Sequence, residues 1–504
     1  MKASRSLIPI WLLCVAMLPT LTSSAQPVTK IAAGMSYSLF LKSDGSLWGM
    51  GYEFYGQLGD GTYSMDSTFP EKTVSSNVMA IATGYWHSLV LKSDGSLWAM
   101  GYNQYGQLGD GTYNKTNRPE QIVASNVTAI AAGYYHSLYI KSDGSLWAMG
   151  YNQYGQLGDG TYTSTNRLVQ IVASNVTAVT AGYVHSLFLK SDGSLWAMGG
   201  NKILTGPFYF KYGQLGDGTY NNTNLPEQIV ASNVTAIAAG AYSSLFLKSD
   251  GSLWAMGDNG HGQLGDGTDN NDASLPEEIV DGNVTAIAAG LGHSLFLKSD
   301  GSLWGMGWNL FGQLGDGTDN DDTNLPEQIT DGGVTAIAAG WYHSLFLKSD
   351  GSLWAMGYNG DGELGDGTCI NTNLPGQIVA GNVTAIAAGE YHSLFLKSDG
   401  SLWGMGWNEY GQLGDGTYNF DAIGPEQILG AYNRITVQPL GVTNAQLSFV
   451  GVALKNYALD RSRSLTPANW IPQATNPAGS FGALVFTNPP DATTNNFWRI
   501  RLVQ

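Results

Sequence analysis

The chain is poor in charged residues, in cysteine and in long apolar runs. Charged residues make up 12% of its 504 residues, and it has two cysteines. After residue 25 no stretch approaches the roughly 18 consecutive apolar residues that cross a bilayer, so we expect no membrane span. Cys14 lies in the N-terminal apolar segment and Cys369 stands alone in the rest. The fold therefore cannot depend on disulfide bonds.

Positive charge is scarcer than negative charge. The chain has 23 Lys and Arg against 40 Asp and Glu, a formal net charge of −17. A protein that binds a phosphate backbone needs a basic surface, and here the overall field repels phosphate. The composition argues against nucleic acid as a partner.

The first 25 residues differ from everything that follows. Lys2 and Arg5 give a basic start, an apolar run follows, and small residues end the segment at Ala25. This order is typical of a secretory signal peptide over residues 1–25, cleaved before Gln26. Its removal takes the net charge from −17 to −19. We expect the mature protein to be secreted or held at the cell surface.

The rest of the chain is dominated by one sequence repeated eight times. Its unit is about fifty residues, V-T-A-I-A-A-G-x-x-H-S-L-F-L-K-S-D-G-S-L-W-A-M-G-x-N-x-x-G-Q-L-G-D-G-T followed by a variable stretch. The copies can be counted on the glycine before the two variable residues: Gly34, Gly84, Gly133, Gly182, Gly240, Gly290, Gly340 and Gly389. A fixed period of this length indicates a solenoid or a propeller, because one unit cannot bury its own apolar face.

Each repeat has the pattern of four β-strands. In the third copy we predict strands at 127–132, 137–141 and 145–149, and the fourth strand of the preceding copy near 119–122. Asp-Gly between two apolar runs is a strong hairpin signal. The runs are nearly continuously apolar, which predicts sheets buried on both faces, as in radial blades. The fold class is all-β.

The linked motifs G-x-x-H-S-L, D-G-x-L-W-x-x-G and N-x-x-G-Q-L-G resemble the regulator of chromosome condensation (alpha-tubulin suppressor-like) repeat family across residues 27–430. The resemblance implies a closed β-propeller, usually of seven blades. Eight complete copies favour eight blades here, with seven blades and an accessory module as the alternative. A secreted bacterial β-lactamase inhibitor built from this repeat is similar in repeat type and compartment, and it engages its target through rim loops.

Residues 434–504 do not contain the repeat and have a different sequence pattern. Short apolar runs punctuated by Pro, Asn and Gly predict a small β-rich module. Two roles stay open for it, attachment or sorting at the cell surface and a packing cap.

Residues that could catalyse a reaction or bind a metal recur in most copies of the repeat instead of gathering at one place. The histidine of G-x-x-H-S is present in six copies, where one residue per blade is too dispersed for a metal. The acidic loops around L-G-D-G-T lack calcium-loop spacing, and turn chemistry accounts for their Asp-Gly. No serine elbow, P-loop or special carboxylate pair occurs. We therefore expect no catalytic residue, no metal and no cofactor.

The positions that vary between copies of the otherwise constant repeat are the better candidates for function. Aromatic residues dominate the pair between Gly and His, and they should cluster on one rim, where large rigid rings favour binding. Packing between blades is the structural alternative. The candidates are Tyr85, Trp86, Tyr134, Tyr135, Tyr183, Tyr242, Trp341, Tyr342 and Tyr391. A nine-residue insertion in the fourth repeat adds Phe208, Tyr209 and Phe210.

These observations favour an exported, non-enzymatic, monomeric propeller that binds a protein or a glycan through its aromatic rim. Guanine nucleotide exchange on a small GTPase, which the family name implies, is the first alternative. Export and acidic charge disfavour it. A glycan-active enzyme is the second alternative, and it would need a carboxylate pair or base that one repeat alone supplies.

Overall fold

The computed structural model describes residues 26–205, 208–269, 271–319, 322–418 and 421–429, together with the backbone of six strands between residues 436 and 502. The predicted signal peptide at 1–25 lies outside the described residues. None of the described residues belongs to a helix that could cross a membrane.

Each repeat folds into one four-stranded antiparallel sheet, with its strands in chain order from the axis outward. The first four sheets are blade 1, β1 (Val28–Ala33), β2 (Tyr37–Lys42), β3 (Leu47–Tyr52) and β4 (Asp66–Val74); blade 2, β5 (Val78–Thr83), β6 (His87–Lys92), β7 (Leu97–Gly101) and β8 (Thr116–Val123); blade 3, β9 (Val127–Ala132), β10 (His136–Lys141), β11 (Leu146–Gly150) and β12 (Thr165–Val172); and blade 4, β13 (Val176–Ala181), β14 (His185–Lys190), β15 (Leu195–Gly199) and, after the hairpin β16 (Lys202–Thr205) and β17 (Phe208–Lys211), β18 (Thr223–Val230).

The second half of the propeller repeats the pattern. Its sheets are blade 5, β19 (Val234–Ala239), β20 (Ser243–Lys248), β21 (Leu253–Gly257) and β22 (Ala273–Val280); blade 6, β23 (Val284–Ala289), β24 (His293–Lys298), β25 (Leu303–Trp308) and β26 (Asp322–Thr330); blade 7, β27 (Val334–Ala339), β28 (His343–Lys348), β29 (Leu353–Gly357) and β30 (Thr372–Val379); and blade 8, β31 (Val383–Ala388), β32 (His392–Lys397), β33 (Leu402–Trp407) and β34 (Asp421–Leu429).

The predicted strands of the third copy are confirmed, as is the all-β fold class. The Ser-Asp-Gly turn forms the hairpin between β10 and β11, with the aspartate hydrogen bond and the glycine of positive φ that the sequence predicts. The Ser145 N–H donates to Oδ1 of Asp143 at 2.8 Å, and Gly144 takes a φ of +76°. The fourth strand is longer than predicted, since β8 extends to both sides of residues 119–122.

The core lies between blades, as expected for sheets buried on both faces. Leu89 and Leu97 of blade 2 pack against Tyr139 and Met149 of blade 3, and all four are fully buried. Similar clusters fill the other interfaces. A blade therefore buries its apolar surface only when both neighbours are present.

The eighth blade closes directly onto the first. Oγ of Ser38 lies 2.9 Å from Nε2 of His392 and donates to the Gln412 carbonyl at 2.8 Å. The Gly416 N–H donates to the Thr68 carbonyl at 2.8 Å. The prediction of eight blades is confirmed, and the alternative of seven blades with an accessory module is wrong.

The strands beyond residue 435 belong to a second compact unit. They form two three-stranded antiparallel sheets, in the orders β35-β36-β39 and β38-β37-β40. The strands are β35 (Thr436–Pro439), β36 (Ala445–Val450), β37 (Asn456–Ser462), β38 (Ile471–Pro477), β39 (Ala483–Asn488) and β40 (Phe497–Leu502). The predicted β-rich character agrees with these strands. The predicted boundary, at 430–434, lies outside the described residues.

Candidate binding face

One side of the propeller collects the variable loops. Because the strands of a blade alternate in direction, the loop after the first strand and the loop after the third emerge at the same end. The Ser-Asp-Gly turn and the link to the next blade lie at the opposite end, where the Val127 N–H donates to the Gly95 carbonyl. We call the side with the variable loops the aromatic face.

A cavity of about 350 Å³ lies on the propeller axis and opens at the aromatic face. Every blade lines it with the glycine that follows its innermost strand, with the residue before that glycine (Ala in seven blades, Thr83 in blade 2) and with the first of the two variable residues. Those eight variable residues are Met35, Tyr85, Tyr134, Tyr183, Ala241, Leu291, Trp341 and Glu390. We call this space the central cavity.

The aromatic rings of the central cavity meet one another. Tyr85 and Tyr134 stack with ring centroids 3.8 Å apart, and Tyr134 lies 4.6 Å from Tyr183. The ring centroids of Tyr183 and Trp341 lie 6.4 Å apart, although two blades stand between the blades that carry these residues. The cavity is therefore narrow enough for rings from distant repeats to come together near the axis.

The second variable residue of each loop forms a wider ring around the first. Trp86 lies 4.7 Å from Tyr55, and Tyr135 lies 5.1 Å from Tyr105. Tyr391 continues this ring, 5.8 Å from Tyr342 of the preceding blade. All of these side chains are half-buried. They are thus neither sealed between blades nor fully exposed.

Sequence reasoning missed an outer ring of aromatic residues on the same face. They stand at the variable positions of M-G-x-N-x-x-G, and the variability of those positions is the signal that could have found them. They are Tyr52, Phe54, Tyr55, Tyr102, Tyr105, Tyr151, Tyr154, Tyr212, Trp308, Phe311, Tyr358, Trp407 and Tyr410. With the predicted residues they make a nearly continuous aromatic surface.

The insertion in blade 4 forms the hairpin β16–β17, which joins this surface. Phe210 is 48% exposed and stacks on Tyr212 at 6.3 Å. Tyr212 in turn stacks on Tyr242 at 4.6 Å. Phe208 and Tyr209 contribute backbone to β17, and their side chains lie outside the described residues.

Glu390 is the one acidic side chain among the eight variable residues that line the central cavity. It is 5% exposed, and burial raises its pKa to about 9. Within the described residues, neither Oε2 of Glu390 nor the hydroxyl of Tyr183 has a hydrogen-bond partner. Burial, and then the nearby Glu390 carboxyl, raises the pKa of Tyr183. The cavity thus holds two polar groups in need of a partner.

The repeated histidines have a structural role. Nε2 of His87 lies 2.9 Å from Oγ of Ser137 in the next blade, and that hydroxyl donates to the Gln107 carbonyl at 2.7 Å. Ser137 must therefore accept a hydrogen bond from Nε2–H, which fixes the proton on Nε2. Burial lowers the pKa of His87 to about 3. Five other interfaces have the same pair: His136–Ser186, His185–Ser244, His293–Ser344, His343–Ser393 and His392–Ser38.

The aspartate of L-G-D-G-T is used inside its own loop. Oδ1 of Asp110 accepts from the Thr112 N–H at 2.8 Å and from Nδ2 of Asn103 at 3.1 Å. Across the part of the chain that the structure describes, no group of three or more His, Cys, Asp or Glu side chains is placed to hold a metal ion. Asp321, from the acidic loop of blade 6, lies outside that part.

Comparison with known families agrees with this geometry. Residues 203–445 match the RCC1-like domain. The regulator of chromosome condensation (RCC1) repeat matches at 44–91, 94–140 and 143–189, and a second form of it at 28–57, 79–107 and 127–156. The chain belongs to the RCC1 repeat family.

Solved structures of RCC1-like proteins share the fold. Human WBSCR16 is 24% identical with a TM-score of 0.56, over 70% of this chain and 98% of that one. Yeast RCC1 (Prp20) bound to Kap60 is 22% identical with a TM-score of 0.54, over 66% and 83%. Prp20p from Saccharomyces cerevisiae, in a study of its binding to Gsp1p and histones, is 21% identical with a TM-score of 0.56, over 75% and 95%. No curated protein sequence matches this chain.

Proposed function

We propose that this RCC1-repeat protein is an exported, non-enzymatic binding propeller whose aromatic face takes a protein or glycan partner. The observation that carries the proposal is the convergence of variable aromatic side chains on one face of an otherwise uniform frame. Tyr and Trp are enriched in binding hot spots because they offer large, rigid contact area with a polar group at the edge.

The family supports a binding role. The RCC1-like propeller is mostly a binding or regulatory fold, and two of the similar yeast structures are described with protein partners, Kap60 in one and Gsp1p and histones in the other. These partners belong to the yeast protein. For the present chain they support the general class of activity, protein recognition by a propeller.

The same likeness makes nucleotide exchange on a small GTPase the second candidate. Release of a fluorescent guanine nucleotide from a GTPase, measured with and without the propeller, tests it directly. We expect no acceleration, because an exported protein does not meet a cytosolic GTPase and so has no reason to carry a surface that fits one. A glycan-active enzyme would need a pair of carboxylates or a base, and Glu390 is the only acidic residue among the described residues that line the central cavity.

Export is part of the proposal and rests on residues 1–25 alone. The basic start, the apolar run and the small residues before Gln26 are the parts that signal peptidase needs. Intact-mass measurement of protein from the native host should give a chain that begins at Gln26. Recovery of the chain with residues 1–25 attached would contradict export and would remove the argument against nucleotide exchange.

The binding role is tested by affinity capture from exported and surface material with purified residues 26–504. The face variant combines Trp86→Ala, Tyr135→Ala and Trp341→Ala. The matched control combines Leu225→Ala, Leu275→Ala and Leu325→Ala, which remove apolar side chains that are 56%, 59% and 56% exposed on fourth strands. We expect the wild type and the control to retain the partner and the face variant to lose it. Loss in the control with retention in the face variant would contradict the proposal.

A further inference from the structure

The central cavity has a composition that selects among ligands. Its aromatic side chains are Tyr85, Tyr134, Tyr183 and Trp341, and its remaining variable positions are apolar except Glu390. Ala and Gly residues, with Thr83, line the wall beneath. A carboxyl held in such surroundings is costly to ionise unless a positive charge lies beside it. The aromatic rings favour the same charge, because their faces carry negative potential.

Other ligand classes fit less well. An anion would meet the carboxyl group and the negative faces of the rings. A sugar stacks on an open ring face and needs several hydrogen-bonding groups around it. Tyr85 and Tyr134 already cover each other at 3.8 Å, and the unpartnered side-chain groups are one carboxylate oxygen and one phenol.

We propose that the central cavity binds an organic ammonium group, held against the rings of Tyr183 and Trp341 and paired with the carboxylate of Glu390. This inference rests on the proposed function, since it names the chemical group that the aromatic face recognises. The ammonium belongs either to a small quaternary amine or to a lysine side chain of a protein partner. The chain's net charge of −17 attracts either one.

The buried carboxyl couples binding to pH. Burial raises the pKa of Glu390 to about 9, so without a ligand it is protonated at neutral pH. The titratable groups that face it are Tyr85, Tyr183, Tyr342 and Tyr391, and each has a raised pKa that keeps it neutral in the same range. A permanent cation therefore displaces one proton from Glu390. Its affinity should rise about tenfold per pH unit between pH 7 and 8.

Choline is the first probe, because its charge does not change with pH. Its neutral isostere 3,3-dimethylbutan-1-ol has the same shape and no charge. Titration calorimetry should show binding of choline and at least tenfold weaker binding of the isostere. Glu390→Gln should weaken choline binding at least tenfold and abolish its pH dependence. N-acetyl-lysine methylamide is the second probe, and preference for it over choline would assign the site to a lysine side chain.

Glu363→Gln is the matched control variant. Glu363 is also fully buried with a pKa raised to about 9, but it lies outside the cavity, at the position that other repeats fill with Gln. It should leave choline binding unchanged. Equal loss in both variants would overturn the proposal, as would equal affinity for choline and its isostere.

Three further outcomes separate this inference from the function on which it rests. If the captured partner needs the aromatic face but its binding is insensitive to Glu390→Gln and to both ammonium probes, the ammonium site is wrong and the binding role stands. If an oligosaccharide binds the face and neither ammonium probe does, the same conclusion holds. If capture does not depend on the face at all, the proposed function fails whatever choline does.

Discussion

At the scale of the residue, one position of the repeat carries different side chains in different blades. The first variable residue is Tyr in three blades, Trp in one and Glu in another, while the backbone around it hardly changes. The conserved Gln of G-Q-L-G is replaced by Glu363 in blade 7, where burial raises the pKa of the carboxyl. The side chains, rather than the loop geometry, therefore decide what each blade contributes to the aromatic face.

The residue-scale prediction concerns Trp86, Tyr135 and Trp341. Single substitution by alanine should weaken partner binding by about 1 to 3 kcal/mol, the hot-spot range. Unfolding free energy should fall by less than the roughly 3 to 5 kcal/mol of a fully buried aromatic, because these side chains are half-buried. Thermal unfolding measured beside affinity checks both. Large stability losses with unchanged affinity would assign the rings to packing.

At the scale of the element, the repeated turn shows how local chemistry and blade contacts combine. Gly144 of the Ser-Asp-Gly turn has a φ of +76°, and a Cβ there would lie 2.5 Å from the backbone nitrogen of Asn175. Asn175 takes a φ of +70° in the link to the next blade. The turn between two strands of one blade thus sits directly against the start of the next blade, and glycine is required on both counts.

The element-scale prediction compares two glycines of positive φ. Gly111→Ala should cost about 1 kcal/mol, because φ is +84° but nothing lies within 4 Å of the added carbon. Gly144→Ala carries the same backbone strain and a clash with backbone, so its cost should be larger by about 1 kcal/mol or more. Urea unfolding of the two variants measures the difference. If both variants lost the same unfolding free energy, the neighbouring blade would be able to move away from the added carbon at no cost, and the prediction would be wrong.

At the scale of the whole molecule, a circle of buried polar contacts joins the blades. Six of the eight interfaces have a neutral histidine bonded to the serine of the next blade, and at a seventh the Tyr37 hydroxyl donates to the His87 carbonyl at 2.8 Å. Ser243 occupies the histidine position of blade 5. Closure of the ring therefore depends on hydrogen bonds as well as on apolar burial, and burial keeps the imidazoles uncharged.

The whole-molecule prediction follows from these uncharged imidazoles. Burial lowers the pKa of His343 in the folded protein to about 3, below its ordinary value of 6.5, so as the pH falls the unfolded chain takes up this proton first. Its contribution to stability is complete above pH 6.5 and is lost as the pH falls, by about 1.4 kcal/mol per pH unit below that value. The variant His343→Ser, which copies blade 5, should be less stable at pH 7 and lose stability less steeply between pH 6 and 4.

Chemical unfolding at several pH values checks the difference in slope. Buried carboxyls such as Glu53, with a pKa raised to about 8, act in the opposite direction, since they cost stability as the pH rises above 4.5. They are common to both proteins and cancel in the comparison. Parallel pH profiles for the wild type and the variant would contradict a neutral imidazole in the fold.

The sequence alone determined the all-β class, the eight repeats, the strand positions and the Ser-Asp-Gly turns, because each depends on patterns within about fifty residues. It favoured eight blades over seven, and closure of the eighth blade onto the first decided the number. It also placed the variable aromatic residues on one rim. Only the tertiary structure decided which rings meet, since Tyr183 and Trp341 come together through closure of the whole ring. The burial of Glu390 was decided in the same way, because a carboxyl's surroundings depend on side chains from distant blades.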